Sequence, residues 1–172
     1  MLELEKTYLL KFVPPGLFER PCEEMVDLYI PASVDHPVLR LRKKGKQLEM
    51  TKKQPRAGDT SEQTEETIAL SSQEYDALKD LPGKRVTKRR YKYKGAEIDI
   101  FTEKLSGLAL ADFEFSTTAE KEQFSPPDFC LAEVTHLEAI AGGNLAGESF
   151  ETVYPQLEQF GYSPIHISNS DV

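Results

Sequence analysis

A period of two, in which charged side chains alternate with apolar ones, runs through segment after segment of this chain, and few folds can satisfy it. In Leu2-Glu3-Leu4-Glu5-Lys6-Thr7-Tyr8-Leu9-Leu10 an extended backbone turns Glu3, Glu5 and Thr7 to one side and Leu2, Leu4, Tyr8 and Leu10 to the other. The pattern returns at residues 25–30, 38–42, 47–53, 64–70, 85–94, 96–102, 108–115 and 130–135, all read as strands. Lys44-Gly45-Lys46 and Gly95 mark the turns of two hairpins. The polar run 54–63 is expected to be a loop. Ser71 with Glu74, and Thr117 with Glu120, have capping-box spacing, which predicts short helices running to Leu81 and Phe124. The spacing of Phe150, Val153, Tyr154, Leu157 and Phe160 predicts one more, weakened by Pro155.

Roughly eight or nine strands with a few short helices is a count at which antiparallel sheets commonly close into a barrel. The expected fold is therefore α+β and mainly β, one domain over residues 1–172, with a C-terminal helix and tail over 137–172. The composition, 39% hydrophobic and 29% charged, is that of a soluble globular protein. No stretch approaches the length of a membrane span, so a cytoplasmic location without a membrane partner is expected. The formal charge of −8 argues against general affinity for nucleic acid. Cys22 and Cys130 are in no metal-ligand spacing, and His36, His136 and His166 in none either; the histidines are expected at the surface or in structural roles.

Collecting the side of each strand opposite its apolar residues gives Glu3, Glu5 and Thr7; then Arg40, Arg42, Glu49, Thr51 and Lys53; then Glu65, Lys88, Arg90, Glu97, Asp99, Asp112 and Glu114. Acids and bases segregate strand by strand. One reading is a sheet with a wet face laced by weak ion pairs. The other is a sheet curled with its charged side inward, where unpaired charges must be matched by ligands of opposite sign. A basic wall then calls for a polyanion. An acidic wall of Glu3, Glu5, Asp112 and Glu114 calls for a hard divalent cation, Mg2+ or Mn2+. Together they point to a metal-bound polyphosphate and to phosphoryl transfer.

The motifs Glu3-Leu4-Glu5, Leu39-Arg40-Leu41-Arg42, Met50-Thr51-Lys52-Lys53, Lys88-Arg89-Arg90-Tyr91, Glu97-Ile98-Asp99-Ile100-Phe101, Asp112-Phe113-Glu114-Phe115 and Glu133-Val134-Thr135 stand in an order and spacing that resembles the CYTH domain, the triphosphate tunnel metalloenzymes, in its small bacterial form. The resemblance covers residues 2–136. It implies an eight-stranded antiparallel β-barrel forming a tunnel, with short helices packed outside. It further implies that Arg40, Arg42, Lys53, Lys88 and Arg90 hold phosphates and that Glu3, Glu5 and Glu114 hold Mg2+ or Mn2+ beside Asp112. Asp99, Glu97, Glu65 and Glu133 would line the tunnel.

Three departures accompany it. The family's opening motif ends in a lysine linked to water activation, where this chain has Thr7, with Lys6 adjacent but on the outer side by strict alternation. A mid-chain acidic pair begun by Glu65 is halved at Thr67, and residues 137–143 are apolar and small where further charges are usual. Tyr29, in the second strand, corresponds to a tyrosine that the family's hydrolases often place near that lysine, and a phenol there orients water or the terminal phosphate. Gly142-Gly143 lies in no phosphate-loop context and is expected to be a turn. The resemblance implies a metal-dependent triphosphatase, a monomer or homodimer, that removes the terminal phosphate of tripolyphosphate or of an organic triphosphate. The alternatives are a class IV adenylate cyclase and a polyphosphate-binding module that lost its base at Thr7.

Overall fold

The computed structural model describes residues 4–56 and 59–167, of which 53–56 and 59–64 are described in their backbone alone. Nine strands form one antiparallel sheet: β1 (Glu5–Leu10), β2 (Cys22–Ile30), β3 (Leu39–Lys44), β4 (Gln47–Arg56), β5 (Asp59–Ala69), β6 (Lys84–Tyr93), β7 (Ala96–Phe101), β8 (Ala109–Glu114) and β9 (Cys130–Glu133). Their order is β5-β4-β3-β2-β6-β7-β8-β1-β9. Four short helices accompany them, α1 (Ser72–Leu78), α2 (Thr118–Gln123), α3 (Gly142–Leu145) and α4 (Phe150–Glu158). The mainly-β antiparallel class expected from the alternation is the one observed. The closed eight-stranded barrel is not: β5 and β9 are the two edges of an open sheet that curls around a cavity without sealing.

Residues 54–63, expected as a loop, mostly belong to β4 and β5, whose ladder runs from Glu49↔Ala69 to Arg56↔Asp59; only Ala57 and Gly58 lie outside the described residues. A hairpin needs only paired backbone amides and carbonyls, which a polar composition does not forbid. β2 likewise begins earlier than its apolar run, at Cys22, because Glu23 and Glu24 lie opposite Arg90 and Arg89 on β6. Both expected capping boxes form, Ser71 with Glu74 and Thr117 with Glu120.

Strict alternation sorts the side chains. The convex face carries Tyr8, Leu10, Tyr91, Ile98, Ile100, Ala111 and Phe113, covered by Leu17, Phe124 and Phe129, while Leu28, Leu41 and Tyr75 make a smaller cluster beneath α1. The concave face grades along the strands. At one end it bears Glu5, Lys88, Asp99 and Asp112; one or two pleats on, the same side carries Leu9, Val86, Phe101 and Leu110, which pack against Leu145, Phe150, Val153 and Leu157 of α3 and α4. The helices after β9 thus cover the apolar end of the concave face and leave the charged end as the wall of a cavity. No helix among the described residues is long and apolar enough to cross a membrane.

Candidate active site

The cavity has a volume of about 450 Å3. Among the described residues three cationic side chains line it, Arg40 and Arg42 from β3 and Lys88 from β6, and four carboxylates, Glu5, Asp27, Asp99 and Asp112. Sequence alternation places all of these except Asp27, which it overlooks although a lone acid two residues before Tyr29 in an apolar strand is a visible signal.

The basic wall is largely neutralised from within. Arg42 donates from Nε and Nη2 to the two oxygens of Asp27, each at 2.7 Å, and Asp27 is only 4% exposed. Burial works against the charge of Arg42, but the hydrogen bonds and charge of Asp27 outweigh it and hold the guanidinium above its ordinary range. Asp99, 1% exposed, accepts from Lys88 Nζ at 2.5 Å and from Arg90 Nε and Nη2 at 2.7 Å. Burial alone would raise this carboxyl; Lys88 and Arg90 prevail and lower it. Arg90 also donates to Glu97 and stands 3.8 Å from Asp112, and it is held behind this network rather than on the cavity wall.

Arg40 differs from the others. No carboxylate pairs with it among the described residues, its Nη2 lies 3.5 Å from Thr51 Oγ1, and its Nε is buried without any hydrogen-bond partner. Thr51 in turn contacts Thr67 at 2.9 Å. With threonine at 67, where the resemblance leads one to expect an acid, hydroxyls stand beside Arg40. An orphaned buried donor of a charged group is costly, and the side chain that carries it lines a cavity of a size to hold a small anion.

On the acidic side, Thr7 Oγ1 donates to Asp112 Oδ1 at 2.7 Å. Burial first, then the charge of Asp99, pushes the Asp112 carboxyl up to about 6. Glu5 and Glu114 lie directly opposite in the β1–β8 ladder, where like charges repel, and neither forms an ion pair among the described residues. Among the described residues no three His, Cys, Asp or Glu side chains converge into a ready metal cage. The donor set nonetheless fits a hard divalent cation: it is all oxygen, and Mg2+ typically takes one or two carboxylates and fills its shell with water and phosphate. Glu3 lies outside the described residues, as does the side chain of Lys53.

Several expected wall residues stand elsewhere. Glu114, Glu97 and Glu65 are not on the cavity wall. Glu133 is not either: it points to the convex side, where Lys6 Nζ is 3.5 Å away and Tyr8 Oη 3.4 Å. Lys6 therefore remains outside, as alternation requires. Thr135 follows β9 and does reach the cavity, accepting from Thr7 N at 3.1 Å and donating to Glu133 at 2.9 Å.

Tyr29 lines the cavity, and burial, with the charge of Asp27 added, pushes its phenol above the ordinary value despite Arg40. Gly142-Gly143 is not a free turn. It opens α3, and a Cβ on Gly142 would collide with Tyr29 Oη. His36 is exposed, as expected of a surface histidine, and it also lines the cavity. Its Nδ1 is 2.6 Å from Asn144 Oδ1. The local sequence carries no ligand spacing to announce this; the loop and α3 meet only in three dimensions.

No protein-family model matches the chain. An inorganic triphosphatase of Nitrosomonas europaea is 32% identical over 141 residues, spanning 78% of this chain and 90% of that protein. A crystal structure of an inorganic triphosphatase is similar with a TM-score of 0.65 and 27% identity, over 86% of this chain and 96% of its own. A crystal structure of a hypothetical protein gives a TM-score of 0.65 and 29% identity over 86% and 99%.

Proposed function

This chain belongs to the inorganic triphosphatase family, and from that premise we propose that it is a CYTH-type hydrolase that removes the terminal phosphate of inorganic tripolyphosphate. The observation that carries the proposal is Arg40, which lines the cavity with Arg42 and Lys88 and pairs with no carboxylate among the described residues. A terminal phosphate accepts from a guanidinium in bidentate fashion, and tripolyphosphate brings the oxygens that Arg40 lacks.

In the reaction, water attacks the terminal phosphorus in line, the bond to the bridging oxygen breaks, and orthophosphate and pyrophosphate leave. Arg40, Arg42 and Lys88 neutralise charge on the non-bridging oxygens, which is most of what phosphoryl transfer asks of a protein. Asp27 and Asp99 hold Arg42 and Lys88 in place, so these cations are oriented before substrate arrives. The buried Tyr29 phenol is a neutral donor, fit to bind a phosphate oxygen or orient the water. Glu5, Asp112 and Glu114 would hold Mg2+ or Mn2+, which when bound supplies further charge neutralisation on the phosphates.

Orthophosphate release from tripolyphosphate in the presence of Mg2+ or Mn2+ tests the proposal, and turnover no greater than that of Glu5→Gln would end it. The adenylate cyclase alternative is not favoured: the relative that is 32% identical and the crystal structure similar at a TM-score of 0.65 are inorganic triphosphatases.

A further inference from the structure

The loop between β2 and β3 brings His36 and Pro37 to the cavity and is pinned there by Lys84, whose Nζ donates to the carbonyls of Val34 at 2.9 Å and Asp35 at 3.4 Å. From the far side α3 contributes Asn144. Its Nδ2 donates to the Glu138 carbonyl at 2.7 Å, which turns its Oδ1 to His36 Nδ1 at 2.6 Å. An amide oxygen only accepts, so Nδ1 of His36 carries the hydrogen. The tautomer is thereby settled, and Nε2 is the nitrogen left over, with no hydrogen bond among the described residues. In neutral imidazole Nε2 offers a lone pair, which repels a phosphate oxygen. Protonated, it becomes a charge-assisted donor.

We propose that His36, oriented by Asn144, is a further substrate-binding residue, which takes up a proton at Nε2 when tripolyphosphate enters and donates it in a hydrogen bond to a phosphate oxygen. The inference rests on the reading of the cavity as a tripolyphosphate site. The proton comes from solvent, no covalent bond to phosphorus is made or broken, and imidazole is the side chain suited to such an exchange near neutrality. The charged and titratable groups sharing the cavity or the loop with His36 are Arg40, Arg42 and Lys88, the carboxylates Glu5, Asp27, Asp99 and Asp112, and Tyr29, Asp35 and Lys84. A polyanion entering the cavity adds negative charge beside the imidazole and favours its protonated form. Proton uptake is thus coupled to binding.

The test is calorimetry with the methylene-bridged analogue of tripolyphosphate, in which both bridging oxygens are replaced so that it cannot be hydrolysed, in two buffers of different ionisation enthalpy at neutral pH. The wild type is compared with His36→Gln and with Asn144→Leu, each checked by thermal melting. Both variants are expected to melt as the wild type does, to bind roughly tenfold more weakly, and, for His36→Gln, to lose the proton uptake. In turnover of tripolyphosphate the loss is expected in KM, with kcat little changed. A His36→Gln protein that binds as tightly as the wild type, or takes up as many protons, overturns the inference alone. A wild type that does not bind the analogue overturns the tripolyphosphate reading and this inference with it.

Discussion

Arg40 and Asp112 are the residues at which the cavity departs most from a resting, internally satisfied protein. Arg40 leaves a buried Nε unbonded, so its replacement by methionine removes a cost to the fold as well as a grip on phosphate. Arg40→Met is expected to raise KM for tripolyphosphate roughly tenfold or more, the worth of a hydrogen bond to a charged group, while the melting temperature holds or rises. Steady-state kinetics beside a thermal melt checks both halves. Thr7, hydrogen-bonded to Asp112 at 2.7 Å, stands where the resemblance expects a lysine. Thr7→Lys is expected to raise kcat in an orthophosphate-release assay, and an unchanged kcat would mean that Thr7 does not limit the rate. Asp112 also sets a pH dependence. Its carboxyl is raised from 3.8 to about 6, so the folded protein binds that proton more tightly than the unfolded chain. The stability this group contributes is complete below the ordinary carboxylate range and is lost as pH rises toward about 6. Asp99, lowered by Lys88 and Arg90 against its burial, works in the opposite sense: its contribution is present above the ordinary range and fades as pH falls below it. Urea midpoints of chelated protein between about pH 4 and 6 are therefore expected to decline less in Asp112→Asn than in the wild type.

Among the elements, the strands and α4 were legible from their periodicity and the place of the covering helices was not, for a physical reason. Period two reports which side a residue takes, and it places Glu5, Arg40, Arg42, Lys88, Asp99 and Asp112 together on the concave side. It is blind to position along a strand, so it did not distinguish the charged end from the end where Leu9, Val86 and Leu110 meet α3 and α4. Residues 137–143 read as apolar and small, yet their smallness is their use. A Cβ on Gly142 would strike Tyr29 Oη, while the next ring atom, Cζ, would lie 3.5 Å away. Gly142→Ala is thus expected to displace α3 or the Tyr29 ring, lowering both the melting temperature and kcat/KM. In a Tyr29→Phe background the same change leaves only ordinary contacts and is expected to cost much less. A double-mutant cycle on melting temperature reads the difference directly, and equal effects in the two backgrounds would place the strain elsewhere.

At the scale of the whole molecule, the formal charge of −8 sets the terms on which a polyanion is bound. Among the described residues the cavity does not reverse that sign: four carboxylates and three cations line it, and Arg42 and Lys88 are already committed to Asp27 and Asp99. Sequence alternation suggested separate basic and acidic walls awaiting ligands, but neighbouring strands pair most of that charge internally, leaving Arg40 on one side and the opposed Glu5 and Glu114 on the other. Tripolyphosphate carries several negative charges, and a contact between unit charges of opposite sign at 4 Å is worth about 4 kcal/mol near a protein surface before screening. A divalent cation at Glu5, Asp112 and Glu114 would therefore decide whether the anion is held at all. Chelation is expected to weaken binding of the methylene-bridged analogue by at least about tenfold, not merely to stop turnover, and Glu5→Gln in the presence of Mg2+ to reproduce most of that loss. Calorimetry with and without chelator distinguishes the cases. Equal affinity in both would mean that Arg40, Arg42 and Lys88 suffice to hold the phosphates, and that any cation acts only in the chemical step.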